Sequence, residues 1–386
     1  MVSIDPTPSH PSRRQALARL GQAACVGALP WMALQGCSGP PVKLGFLGGL
    51  TGPTADLGVA GRDATLLAVE QLNARGGLRG KPVELVAFDD RQQPKALSEL
   101  VDGIRQAGLS GMVGPMTSSV AGAWIPLAND MGLTTVSPTV TSSDFTGKDD
   151  QFFRVCSTTR EYAHASAEFH MRRAASRQFA LVRDDSNAAY TRSWAQHFSD
   201  RVVALGGQVL HHAVYAGSNR AEGVAVALEQ ALAYQPDALV MVANARDTAL
   251  LAQLLRKQGS ALPLLAAEWA ATDQLLALGG RSVEKLEVAQ YFDPNSSQAA
   301  YAGFVQAFKV RFGRQPGFAE VAGFDAARVM LHALAEQGSG ESLKQVLLRI
   351  KQFEGVQQSI VFDPQGDSSR PLFMTQVVNG QFNVVS

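Results

Sequence analysis

The sequence predicts an α/β fold made of two successive blocks of alternating strand and helix, each a parallel sheet flanked by helices. Three observations predict it. Short apolar or β-branched runs alternate with longer segments of helical apolar spacing, the connections between them are short, and the alternation restarts near residue 160. A chain of 386 residues is long enough for two or three domains with real cores. With 18% charged and 46% apolar residues it is not a disordered chain. A net charge of +0 excludes the electrostatic footprint of a general nucleic-acid binder. Three cysteines without a CxxC pair make neither a disulfide scaffold nor a zinc or redox site.

In chain order, 42–50 reads as a strand and 61–74 as a helix, with Ala64, Leu67, Ala68, Gln71 and Leu72 at helical spacing before the stop at Gly76-Gly77. A strand at 83–88 and a helix at 94–107, with Pro94 in its first turn, follow. Strand, helix and strand come at 111–114, 120–131 and 133–137. The second block opens with a helix at 161–175, a strand at 179–182 and a helix at 190–205 closed by Gly206-Gly207. It continues with strands at 208–214, 238–242 and 262–266 and helices at 222–233 and 247–258. Residues 299–312 and 319–335 are helical by pattern. The tail departs from the alternation: a strand at 360–362 precedes the turn at 363–366, and Asn379-Gly380 joins apolar runs at 373–378 and 382–385 as a hairpin. No low-complexity linker separates the blocks, which favours lobes joined by tight crossovers.

The first 36 residues read as an export signal. Ser12-Arg13-Arg14-Gln15-Ala16-Leu17 precedes an uncharged apolar run at 20–34, too short to span a membrane and suited to a signal-peptide h-region. The paired arginines resemble a twin-arginine signal, although an ordinary n-region also carries two positive charges. Leu34-Gln35-Gly36-Cys37 resembles a lipobox, which makes Cys37 the lipidated N-terminus and the lipid the only membrane anchor. Removing 36 of 386 residues leaves 350; it takes three of 34 basic and one of 34 acidic side chains, so the net charge becomes −2. Cys156 then remains as a lone thiol in an apolar run, read as buried and inert.

In an open parallel sheet, ligands bind beyond the carboxyl ends of strands, where helices present their N-termini. Two hydroxyl-rich stretches meet that condition. Ser118 and Ser119 follow Gly114-Pro115-Met116-Thr117 and open a helix, where hydroxyls and free N–H groups hold a carboxylate or simply cap the helix. Ser137-Pro138-Thr139-Val140-Thr141-Ser142-Ser143 follows the next strand. In the second block, 184–190 (ending in Tyr190), Ala243-Asn244-Ala245 and Ala266-Ala267-Glu268-Trp269 stand at strand ends. A carboxylate beside a tryptophan suits a ligand ammonium; the alternative is a solvated Glu and a packed Trp.

Catalytic signals are thin. Gly48-Gly49-Leu50-Thr51-Gly52-Pro53 lacks the Lys-Ser/Thr of a phosphate loop, and no GxSxG or HExxH occurs. His164 and His170 fall on different helix faces, His211-His212 point to opposite sides of a strand, and Asp89-Asp90 read as a cap. The chain therefore reads as a binding protein, not an enzyme, with no cofactor and no metal.

Together these stretches resemble the type I periplasmic binding proteins of the branched-chain amino acid and amide transport family, the ligand receptors of ABC importers. The resemblance rests on Lys43-Leu44-Gly45 through Leu50-Thr51-Gly52-Pro53, then Gly58 and Gly61, and on the run from Ala68-Val69-Glu70-Gln71-Leu72-Asn73-Ala74 to Arg75-Gly76-Gly77-Leu78-Arg79-Gly80. Phe88-Asp89-Asp90, Pro94, Val113-Gly114-Pro115, Ser118-Ser119, Val136-Ser137-Pro138 and Phe324-Asp325-Ala326 continue it over 41–386. The resemblance implies a two-lobed Venus-flytrap with three hinge crossings: lobe one 41–158 plus 293–365, lobe two 159–292 plus 366–386. It also implies a small-molecule ligand between the lobes and ABC permease and ATPase subunits as partners. Localisation would be extracytoplasmic, periplasmic or at the cell surface. By the same resemblance Ser118, the backbone of Thr139 and Thr141 hold a ligand carboxylate, and Glu268 the ammonium. Asn244 or Ala245 stands where a tyrosine is common, and Leu57 replaces another aromatic. Tyr190 lies near a third aromatic position. Leucine specificity therefore does not carry over; other amino acids, amides, urea or aromatic acids stay open, as does a sensory role on the same fold.

Overall fold

Apolar strands that are buried on both sides need helices on both sides, and the computed structural model supplies them around two sheets. It describes residues 39–52, 55–216 and 220–386; the export signal expected at 1–36 and the lipidation expected at Cys37 lie outside them. The first sheet holds β1 (Val42–Gly48), β2 (Val83–Asp89), β3 (Gly111–Val113), β4 (Thr135–Ser137) and β5 (Phe152–Arg154), in the order β2-β1-β3-β4-β5 and parallel throughout. Helices α1 (Asp56–Ala74), α2 (Leu97–Gln106) and α3 (Ser118–Met131) belong to the same stretch of chain. Leu44, Phe46 and Val113 pack under α1, while Leu47, Met112 and Trp124 form the opposite face with α2 and α3.

After α4 (Thr159–Arg173) comes the second sheet, from β6 (Gln178–Asp184), β7 (Gln208–Tyr215), β8 (Ala238–Val242), β9 (Leu264–Ala266) and β10 (Glu287–Gln290). These five are parallel; β13 (Phe373–Val378) and β14 (Gln381–Val384) add an antiparallel edge, in the order β14-β13-β10-β9-β8-β6-β7. The second sheet is therefore mixed, because the Asn379-Gly380 hairpin docks on β10. Helices α5 (Ala188–Ala204), α6 (Arg220–Leu232), α7 (Ala245–Lys257) and α8 (Asp273–Gly279) accompany it. Then α9 (Ala299–Phe312), α10 (Phe318–Glu336) and α11 (Leu343–Ile350) return to the first sheet before the small β11 (Gln352–Glu354) and β12 (Ser359–Val361) pair. The chain thus passes between the sheets around 155–158, 291–298 and 362–372.

Local chemistry explains the boundaries. Thr158 and Glu161 form a capping box at the start of α4, and Ser342 and Gln345 another at α11. Helix α1 starts at Asp56, one turn before the pattern suggests, because Gly58 and Gly61 interrupt its apolar stripe. Gly58 is there for contact: a Cβ on it would lie 2.0 Å from the Gly49 carbonyl oxygen. Gly58→Ala should lower stability by about 2 kcal/mol or more, read as a fall in Tm, since the β1–α1 loop must move away.

One side chain ties the crossings together. Arg370, buried in the third, bonds the buried Asp325 of α10 at 2.9 Å and donates to the Val155 carbonyl in the first. Its guanidinium also lies 4.7 Å from the ring centroid of Tyr291 in the second. Among the described residues, no helix is long and apolar enough to cross a membrane.

Candidate functional site

The carboxyl ends of β3 and β4 face those of β9 and β10 across a cavity of about 30 Å³, lined by residues of both sheets' loops and of the crossings. Ser118, Thr139, Thr141, Tyr190, Glu268 and Trp269 all line it. Ser119 and Asn244 do not.

Ser118 sits in the first turn of α3, and its Oγ accepts from the Ser142 N–H at 3.3 Å, which leaves its own proton to donate. Thr139 lends its hydroxyl to the Met116 carbonyl at 2.6 Å. Thr141 donates to Glu268 Oε1 at 3.3 Å, a bond made across the cleft. Glu268 Oε2 accepts from Trp194 Nε1 at 3.0 Å, and Tyr190 also bonds the carboxylate. The Tyr190 and Trp269 rings meet edge to face with centroids 5.7 Å apart.

Glu268 is 8% exposed, and burial pushes its pKa up to about 7 against the opposing hydrogen bonds from Tyr190, Trp194 and Thr141. Among the described residues, no Lys, Arg or His lines the cavity. A carboxylate buried without a cation is costly, so the wall it forms attracts a positive group. The opposite wall, a helix N-terminus with hydroxyls, attracts a negative one.

Ser119 instead helps close the cleft: its N–H donates to Asn187 Oδ1 at 3.0 Å, and its Oγ accepts from the Ala189 N–H at 3.3 Å. Ser193 of α5 likewise meets the Ser143 N–H and the Thr159 hydroxyl. Asn244 is the N-cap of α7, accepting from the Asp247 N–H at 3.0 Å. Its amide joins a buried cluster in which Arg220 bridges Asp184 and Asp247, and this cluster turns it away from the cavity. Residues that sequence reasoning did not place on a ligand wall include Tyr162, Asn187, Gln290, Tyr291 and Phe318. Asn187 carried a signal, since it stands in the polar stretch after β6. Tyr162 comes from α4, Tyr291 from the second crossing and Phe318 from α10, and only the tertiary fold brings them together.

Cys156 also lines the cavity; its thiol donates to the Val140 carbonyl, and burial pushes its pKa up to about 12. Iodoacetamide at about pH 8 should therefore leave Cys156 unmodified in the native protein and alkylate it in urea, as read by mass analysis of its peptide.

The profile of the periplasmic binding protein family matches residues 41–381. The chain belongs to the periplasmic binding protein family. Among relatives in that family, a Leu/Ile/Val-binding protein homolog of Brucella melitensis is 24% identical over 337 residues, spanning 86% of this chain and 90% of the relative. A leucine-binding protein from Thermotoga maritima superposes with a TM-score of 0.81 at 23% identity, covering 89% of this chain and 98% of that one. An ABC-transporter solute-binding protein from R. palustris, solved with benzoate, also reaches 0.81 at 18% identity, covering 90% and 96%. These structures share the two-lobed type I fold.

Proposed function

We propose that this protein is an extracytoplasmic solute-binding receptor that takes a small amino-acid-like zwitterion between its lobes and presents it to the permease and ATPase subunits of an ABC importer. Glu268 carries the reading: a buried carboxylate with no cation on its cavity among the described residues, facing the N-terminus of α3 and its hydroxyls. A zwitterion answers both walls at once, ammonium on Glu268 and Thr141, carboxylate on Ser118 and the backbone at Thr139. Lobe one is 41–158 plus 293–365 and lobe two 159–292 plus 366–386, so both ends of the ligand are held only when the lobes close. Nothing in this role calls for a catalytic step or a cofactor.

The aromatic lining, with Tyr162, Tyr190, Trp269, Tyr291 and Phe318, favours aromatic acids as a second ligand class. Thermal-shift screening of proteinogenic amino acids, small amides and aromatic acids separates the two. An amino acid should raise Tm most, and Ser118→Ala should abolish that rise; an aromatic acid lacking an amine as the best hit would reject the zwitterion. The export signal and Cys37 would tether the protein by lipid. Globomycin should then cause the precursor to accumulate, and Cys37→Ser should release the protein from membranes.

A further inference from the structure

Gln290 ends β10 next to the strand that leads into Glu268: Val288 pairs with Ala266, and two residues beyond each partner stand Gln290 and Glu268. Gln290 lines the cavity and is 2% exposed. Its amide has only one workable orientation. The Thr375 hydroxyl donates to the Val288 carbonyl at 2.9 Å, so toward Gln290 it can only accept, and it takes the Nε2–H at 2.9 Å. The carbonyl Oε1 is thereby turned away from Thr375, and it is buried without a hydrogen-bond partner. Buried acceptors are rarely left unpaired without reason.

We infer that Gln290 Oε1 reads the ligand's side chain, and that the ligand is a small amino acid carrying a neutral O–H or N–H donor, a hydroxyl or a carboxamide. This rests on the reading of the cavity as an amino-acid site. The second-lobe wall then presents two acceptors with different tasks: the Glu268 carboxylate for the ammonium, the Gln290 carbonyl for the side-chain donor. An aliphatic side chain would cover Oε1 without pairing it, which is the stronger form of discrimination.

Isothermal titration with three near-isosteric pairs tests this: threonine against valine, asparagine against leucine, glutamine against methionine. In at least one pair the donor-bearing member should bind about tenfold or more tighter. Gln290→Met should shrink that ratio to about threefold or less and leave the apolar partner's affinity nearly unchanged. Thr375→Val, which frees the amide to turn, should also lower the ratio, and it serves if Gln290→Met does not fold. Apolar members binding as well as or better than their partners would overturn the inference and leave the amino-acid reading standing. So would equal weakening of both members by Gln290→Met, which would put Oε1 on the ammonium. Failure of all six amino acids to bind the folded wild type overturns the amino-acid reading and the inference with it.

Discussion

Glu268→Gln should weaken amino-acid binding by about a hundredfold or more while raising the stability of the unliganded protein. The substitution keeps one oxygen for Trp194 Nε1 and turns an amide N–H toward Thr141, whose hydroxyl can accept it, but removes the charge that faces the ligand ammonium. Losing one partner of a buried charge pair costs about 3 kcal/mol, which is about a hundredfold in Kd. The same charge is a burden without ligand. The folded carboxyl titrates at about 7, above its ordinary 4.5. Between those values the folded state binds more protons than the unfolded one, so stability falls as pH rises through that window and is flat above about 7. Up to about 3 kcal/mol is at stake, and Glu268→Gln recovers it, seen as a higher Tm at about pH 8. Binding has the opposite slope. The ammonium needs the ionised carboxylate, so wild-type affinity should climb with pH and level off above about 7. Titration calorimetry in buffers of differing ionisation enthalpy should show proton release below about pH 7, absent in Glu268→Gln. A variant that bound normally and gained no stability would remove Glu268 from the site.

Arg370→Met should lower unfolding free energy by about 3–5 kcal/mol. It strands Asp325, a fully buried carboxylate whose other bond comes from the Val356 N–H at 2.9 Å. It also releases Val155 and Tyr291, so all three crossings loosen together. Urea denaturation gives the loss as a lower midpoint at an unchanged slope. Adding Asp325→Asn to Arg370→Met should restore part of it, since the stranded charge is then gone and the two sites are in contact. Strict additivity of the two substitutions would deny the pair its structural weight.

Long elements with a clear period were legible in the sequence. The strand expected at 42–50 is Val42–Gly48, and Asn379-Gly380 joins β13 to β14. Short ones were legible only in part: β3, β4 and β9 fall within the strands expected at 111–114, 133–137 and 262–266, while β5 and β10, of three and four residues, were not expected. Helices α8 and α11 are brief and bordered by glycine and charge. The same division runs through the site. Ser118, Thr139, Thr141, Glu268 and Trp269 follow strands, and the rule for open sheets finds such positions without coordinates. Gln290 ends a strand that the sequence concealed. Asn244 also follows a strand, but its short amide is taken by the cap it makes and by Asp184, a competition that only side-chain packing decides.

Beside the Thr141–Glu268 bond, the seam between the lobes carries hydroxyls, one amide and backbone N–H groups: Ser119 with Asn187 and Ala189, Ser143 with Ser193 and Thr159. Each of these partners exchanges for water on nearly even terms. The seam therefore acts as a detent and not a lock. A ligand that touches both lobes adds its contacts to the shut form alone and shifts the population toward it. Without ligand, only these exchangeable bonds and the one from Thr141 to Glu268 hold the lobes together at the seam.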